Sequence, residues 1–216
     1  MSTIESSPTS LSSYNGSTVS LPYVKPIRLG LLTKPDDRTD SIAEVKYDGF
    51  RAQAYIENGV AKLVSRKRNV YKQFGDLCEE LSGLPIENAI LDGEVVSIDE
   101  AGRPQFYNLL RRWGTFVYYA FDLVYLNGVD LRADPLLTRK DRLRKIIPAD
   151  PGARVRYAEH IEGDGTILLF SVICGQDLEG IVVKRKDSRY VDKTWMKLKN
   201  PKYPLETARR RLLNKT

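Results

Sequence analysis

The segment Glu44-Val45-Lys46-Tyr47-Asp48-Gly49-Phe50-Arg51 constrains this chain more than any other, because charged residues occupy alternate positions directly after the apolar pair Ile42-Ala43. In an extended strand successive side chains point to opposite faces, so Glu44, Lys46 and Asp48 share one face while Val45 and Tyr47 take the other. Such a strand needs a core on one side and either water or a polar site on the other. A lysine between two carboxylates suits both a solvated face and a working site, and the segment alone does not choose. Gly49 predicts a bend or a close backbone approach.

A chain of 216 residues can bury a sizeable core and fits one large domain with a tail. Its 42% hydrophobic and 29% charged residues read as a soluble globular protein, and the net charge of +6 favours a polyanionic partner, nucleic acid ahead of a membrane surface. Cys78 and Cys174 lack metal-site spacing and read as reduced thiols in apolar helices. No apolar run approaches the ~20 residues of a membrane span, and no signal pattern opens the chain, which predicts a cytoplasmic protein without membrane contact.

Residues 1–20, rich in Ser and Thr, read as a disordered leader. Prolines punctuate the approach through 21–40, with a turn at Lys34-Pro35-Asp36-Asp37. A strand over Glu44 to Tyr47 is followed by a hairpin: Arg51 to Glu57, the turn Asn58-Gly59, and Val60 to Ser65. The basic turn Ser65 to Asn69 comes next, then a helix over Phe74 to Leu81. Ala89 to Ile98 reads as a strand interrupted by Asp92-Gly93-Glu94, and Gln105 to Trp113 as a helix. Val117 to Leu126 is the longest β-like run, apolar except for Asp122. Further on, the pattern predicts a helix over Leu137 to Ile147 with Arg and Lys on its outer face, a strand over Val155 to Ala158, and a helix over Ile167 to Ile173. Strands over Gly180 to Arg185 and Trp195 to Lys199 complete the order. Mixed helices, strands and hairpins predict an α+β domain with antiparallel sheets rather than a doubly wound parallel one.

Glu94 shares a strand face with Asp92, and Glu179 precedes the apolar run Ile181-Val182-Val183. Carboxylates at the rims of apolar strands are costly to bury unless paired or bound to a cation. An oxygen-ligated Mg2+ accompanying a phosphate would satisfy both; so would pairing with the many Arg and Lys side chains. Lys197 and Lys199 lie on one strand face with Trp195, a repulsive arrangement that an anion such as phosphate would relieve. Phe121 is either core or a face on which a base can stack. His160 reads as a structural hydrogen-bonder, and Trp113 as core or helix-end packing.

Taken together, Lys46-x-Asp48-Gly49-x-Arg51, Ser65-Arg66, Leu91-Asp92-Gly93-Glu94, Phe121-Asp122-x-x-Tyr125-Leu126-Asn127-Gly128, Glu179-Gly180-x-x-x-Lys184 and Trp195-x-Lys197-x-Lys199 resemble the covalent nucleotidyltransferase motifs of ATP-dependent DNA ligases. They stand in the family's order. The intervening text, including Arg103-Pro104-Gln105-Phe106 and Ala158-Glu159-His160-Ile161-Glu162-Gly163, is similar to the ligase module of bacterial end-joining ligases of the ligase D type.

The resemblance implies an ATP-grasp-like nucleotidyltransferase domain of antiparallel sheets flanked by helices, covering residues 21–204, with a basic tail at 205–216. It implies ATP and Mg2+ as cofactors and Lys46 as the nucleophile that becomes lysyl-AMP. A neighbouring cation (Arg51, Lys197, Lys199 or a metal held by Glu94 and Glu179) would lower the lysine's ordinary pKa of ~10.4 and free the amine. By the same resemblance Glu44 reads the adenine amino group, Phe121 stacks on the base, Arg51 and Arg66 hold ribose and phosphate, Glu94 also contacts the nucleotide, and Lys197 with Lys199 neutralises the α-phosphate. The implied partner is nicked or broken duplex DNA in repair, in a bacterial, nucleoid-associated setting. Only Asn200 to Thr216 follow the last motif, where the family continues into an oligonucleotide-binding barrel, so the expectation is a stand-alone adenylation domain, either weakly active alone or completed by a partner protein supplying that function. Shared motifs leave two other readings: an RNA ligase or capping-type nucleotidyltransferase, and a non-catalytic domain that binds DNA ends or a repair partner.

Overall fold

The computed structural model describes residues 21–35 and 39–203. The expected leader, the basic tail and most of the turn at Asp36-Asp37 therefore lie outside the described residues. The strands are β1 (Gly30–Leu31), β2 (Ser41–Val45), β3 (Phe50–Glu57), β4 (Val60–Ser65), β5 (Ala89–Ile98), β6 (Thr115–Leu126), β7 (Val129–Asp130), β8 (Val155–Tyr157), β9 (His160–Glu162), β10 (Gly180–Arg185) and β11 (Trp195–Lys199). The helices are α1 (Gly75–Ser82), α2 (Phe106–Leu110), α3 (Leu136–Ile146) and α4 (Thr166–Gly175).

Two sheets form, one in the order β1-β11-β10-β2-β9 and the other in the order β4-β3-β5-β6-β7, with β8 pairing in parallel to β6. Period-2 alternation sorts each strand between cores. Ile42, Val182 and Trp195 of the first sheet meet Tyr55, Ile90, Val124 and Tyr125 of the second in a shared core. On the outer face of the first sheet, Ala43, Ile181, Val183 and Leu198 pack with Ile173 of α4. On the outer face of the second, Ala52, Ala54, Ile56 and Leu91 pack with Leu77 and Leu81 of α1. The order helix, sheet, sheet, helix is the expected α+β architecture with mainly antiparallel pairing.

The hairpin forms as its sequence predicts, with Asn58 at φ +51° and Gly59 at φ +74°, the left-handed pair that a two-residue turn between twisted strands requires. Other expectations are corrected. The strand through Glu44 starts at Ser41 and ends at Val45, so Lys46 and Asp48 lie in the connection to β3 rather than on a strand face. Asp92-Gly93-Glu94 does not interrupt β5, which runs unbroken through a bulge. Gly93 is there because a Cβ would sit 2.4 Å from the buried Tyr118 ring. The helix expected over Gln105 to Trp113 is short, ending at Leu110, and Trp113 is exposed rather than core. In α3 the Arg and Lys are not all outward: Arg139 and Lys140 are fully buried.

Candidate functional site

The shared core stops short at one end, and there the polar residues of both sheets face each other across a cleft of about 390 Å³. That volume suits a small-molecule ligand. Glu44, Lys46, Tyr47, Arg51, Arg66, Glu94, Phe121, Lys184, Trp195 and Lys197 line it. Six of the expected nucleotide contacts and the expected nucleophile thus converge from strands and connections far apart in sequence. Lys199 does not line the cleft, although it sits two residues beyond Lys197 on β11.

Lys46 is placed by the backbone: its N–H donates to the Gly180 carbonyl at 2.9 Å, which brings the side chain beside Glu179. Its Nζ donates to Glu179 Oε2 at 2.6 Å. The partner nearest this amine is thus an anion, where the sequence led us to expect a cation. Of the expected cations, Arg51 is already committed, its Nε and Nη2 gripping Asp92 at 3.0 and 2.5 Å and its Nη1 donating to the Ile27 carbonyl. Asp92 also accepts from the Tyr190 hydroxyl at 2.5 Å. Gly49 provides the predicted close approach, since a Cβ there would lie 2.1 Å from the Val95 carbonyl oxygen. Asp48 is buried and accepts from the Tyr203 hydroxyl at 3.0 Å.

Among the described residues Glu94 makes no ion pair with a basic side chain. Burial pushes its carboxyl up to about 8; Lys46 and Arg51 oppose the shift, and the charges of Glu179 and Asp48 add to it. Although cations predominate in the cleft lining, Glu94 itself feels the negative charges of Glu179 and Asp48, and a divalent cation at that corner would relieve the local repulsion. Mg2+ commonly takes one or two protein carboxylates and completes its shell with water and phosphate oxygens, so Glu94 and Glu179 fit as a donor set even though the described residues hold no group of three or more metal-ligating side chains.

Phe121 owes its orientation to a bulge. β5 pairs Asp92 with Asp122 and the next residue, Gly93, with Ala120, which leaves Phe121 as the extra residue on β6. Its ring turns to the cleft, edge-on to Trp195 at 5.7 Å, with Arg51 at 5.3 Å and Lys184 Nζ at 4.8 Å from its centre.

Glu44 carries two ion pairs. Lys140 Nζ lies 2.6 Å from Oε1 and Lys184 Nζ 2.6 Å from Oε2. The Lys184 contact is a charge contact that misses hydrogen-bond geometry. Burial pushes the Glu44 carboxyl up, but the two lysines outweigh it and hold the group below the usual carboxylate range. Burial pulls Lys184 down to about 8 despite Glu44, whereas Lys140 ends above its ordinary value because Glu44 and Tyr157 overcome burial. The indole N–H of Trp195 is buried with no hydrogen-bond partner among the described residues.

Two contributors escaped the sequence reading. Lys184 stood inside a quoted motif without a role, yet it faces the cleft because β10 alternates and Lys184 shares the face of Val182. Lys140 was assigned to a solvated helix face, although Leu136, Arg139, Lys140 and Leu143 follow the spacing of a buried helical stripe. His160 accords with a structural role, its Nδ1 lying 3.1 Å from the Tyr157 hydroxyl. Both cysteines are free and lie on α1 and α4.

Comparison with known proteins gives the site a context. The model of the ATP dependent DNA ligase domain family matches residues 31–199. The chain is 33% identical over 193 residues to the multifunctional non-homologous end joining protein LigD of Pseudomonas aeruginosa, covering 85% of this chain and 23% of that protein. It is 30% identical to the prophage-derived DNA ligase-like protein LigB of Bacillus subtilis, covering 84% of this chain and 69% of LigB. Among solved structures, a mycobacterial DNA ligase D complexed with ATP and MES superposes with a TM-score of 0.67 at 28% identity, over 81% of this chain and 59% of that one. The chain spans well under two thirds of the LigD protein. No helix among the described residues is long and apolar enough to cross a membrane.

Proposed function

The chain belongs to the family of ATP-dependent DNA ligases, as a segment matching their adenylation domain, and from that premise we propose that Lys46 is the residue that carries AMP. The observation that supports this most is the placement of Lys46 Nζ in a cleft lined by Arg51, Arg66, Lys184 and Lys197, with Glu179 fixing its direction. In the proposed step Nζ gives up a proton, Glu179 Oε2 being the nearest acceptor, and forms an N–P bond to the α-phosphorus of ATP as the bond to pyrophosphate breaks.

The remaining roles follow from charge and shape. Phe121 offers a stacking face, Glu44 an acceptor for the adenine amino group, and Arg66 and Lys197 charges for phosphate oxygens. Arg51 acts as a rigid wall held by Asp92, close enough to contribute its charge to the ribose and phosphate region. Lys199, outside the cleft lining, contributes at longer range from the same strand. A Mg2+ ion held by Glu94 and Glu179 would supply neutralisation of phosphate charge. Nicked or broken duplex DNA is the proposed acceptor of AMP, with the basic turn Arg66-Lys67-Arg68 contributing to backbone contact at a nucleoid location. Residues 21–204 form the proposed adenylation unit, with a leader at 1–20 and a basic tail at 205–216 outside it.

Incubation with α-labelled ATP and Mg2+ tests the reading: a covalent protein-AMP adduct is expected from the native chain, none from Lys46→Ala, and transfer to nicked duplex on chase. Absence of any adduct with ATP, Mg2+, DNA and candidate partners present would refute it and favour a non-catalytic DNA-binding domain.

A further inference from the structure

Lys140 is the least expected residue beneath the site. It is fully buried on α3, a helix remote in sequence from every cleft residue it touches. Its ammonium has three protons, and three acceptors surround it: Glu44 Oε1 at 2.6 Å, the Ala158 carbonyl at 3.1 Å and the Phe121 carbonyl at 3.5 Å. The Tyr157 ring covers it at 4.4 Å. Two of those three acceptors belong to the residues proposed to read and to stack the base. Burying a lysine is costly unless each donor is satisfied, so the chain has placed a desolvated charge where it holds that pair together.

We propose that Lys140 is a positioning residue that sets base specificity: it locks Glu44 as an ionised, acceptor-only carboxylate in register with Phe121, so that the cleft takes a purine bearing a 6-amino group and rejects one bearing a 6-oxo group. The proposal rests on the adenylation reading of the cleft. Its chemistry is direct. A carboxylate with no proton accepts from an exocyclic N–H2 and repels a carbonyl oxygen; a protonated carboxyl can donate to that oxygen, and a rotated one no longer meets the N–H2, so either change loses the distinction. Lys184 also favours the charged form of Glu44, but it meets Oε2 from the cleft side outside hydrogen-bond geometry, so it neither fixes the carboxylate's rotation nor ties it to the Phe121 carbonyl.

The test compares ATP with GTP and ITP in two measurements, competitive nucleotide binding and covalent adduct formation. For Lys140→Met the preference for ATP is expected to fall roughly tenfold or more, the loss of a charge-assisted hydrogen bond, through weaker ATP binding more than through a slower covalent step. Lys140→Arg should restore part of the preference. In a Glu44→Gln background, Lys140→Met should change the preference no further. Circular dichroism checks the fold of each variant, and Lys140→Gln, which keeps donors for the two carbonyls without the charge, serves if Lys140→Met does not fold. An unchanged ATP preference in either uncharged variant, or the same loss with and without Glu44, overturns the proposal. Binding preference is read without chemistry, so a native protein that discriminates nucleotides but forms no adduct would refute the adenylation reading while leaving Lys140 tested.

Discussion

Arg139→Met is expected to be among the most damaging single substitutions away from the cleft. Arg139 and Asp122 are both fully buried, and the guanidinium grips the carboxylate with two bonds, Nε to Oδ1 at 2.9 Å and Nη2 to Oδ2 at 2.8 Å. Its Nη1 donates to the carbonyls of Asp134 at 2.5 Å and Ser188 at 3.0 Å. Methionine fills similar volume, so the cost is electrostatic: it leaves the Asp122 charge buried and two carbonyls unpaired. Breaking one side of a buried pair costs about 3–5 kcal/mol. With a urea m-value of about 2 kcal/mol/M, the unfolding midpoint should fall by about 2 M. A double variant, Asp122→Leu with Arg139→Met, should recover much of that loss, because an apolar pair of similar size needs no partner. Urea unfolding followed by circular dichroism measures all three. A midpoint shift below about 0.5 M for Arg139→Met, or a double variant as unstable as the sum of its singles, would refute the argument that the buried charge pair sets the cost.

Three further outcomes are expected. Gly49→Ala would press a Cβ to 2.1 Å from the Val95 carbonyl, a backbone clash that must shift the connection carrying Lys46; thermal stability should fall by about 1–3 kcal/mol and adduct formation more steeply, and a variant that melts and reacts normally would contradict this. Because burial raises Glu94 to about 8, the folded chain keeps a proton that the unfolded chain releases near its ordinary value, so stability is greatest at low pH for this group and declines as pH rises from about 5 to about 8. Glu94→Gln should flatten that slope in urea midpoints measured across the range; an unchanged slope would mean that Glu94 titrates normally. Tyr203→Phe removes the hydroxyl that bonds Asp48 and should lower stability by about 1 kcal/mol, with no loss counting against that bond as a fixed part of the site.

Most of the site was readable because its residues sit at fixed offsets in short motifs whose chemistry is local: Lys46 with Asp48 and Gly49, Asp92 with Glu94, Trp195 with Lys197. What stayed hidden depends on distant neighbours. Nothing near Glu179 in sequence shows that it pairs with Lys46, since that follows from β10 lying antiparallel to β2. Phe121 was ambiguous because a bulge breaks the two-residue period that assigns strand faces. The short strands β1 and β9 carry too few residues to show any period. Arg139 and Lys140 were misassigned by residue type against position: their spacing from Leu136 and Leu143 marks a buried stripe, while their charge suggests solvent.

The same two residues explain why the cleft lies where it does. Adjacent on one helix, Arg139 reaches Asp122 on β6 and Lys140 reaches Glu44 on β2, so α3 ties one sheet to the other beside the open end of their shared core. The cleft residues divide between those sheets: Lys46, Lys184 and Lys197 come from the β2, β10 and β11 side, and Arg51, Glu94 and Phe121 from β3, β5 and β6. A nucleotide bound there would have to be recognised by both at once. Any slip between the sheets would separate the Phe121 ring from Glu44 and Lys46, the residues proposed to stack, to accept and to attack. Two buried charges on α3 oppose that slip more specifically than apolar packing would, because an ion pair displaced from its partner loses its compensation whereas an apolar contact can re-form one step away.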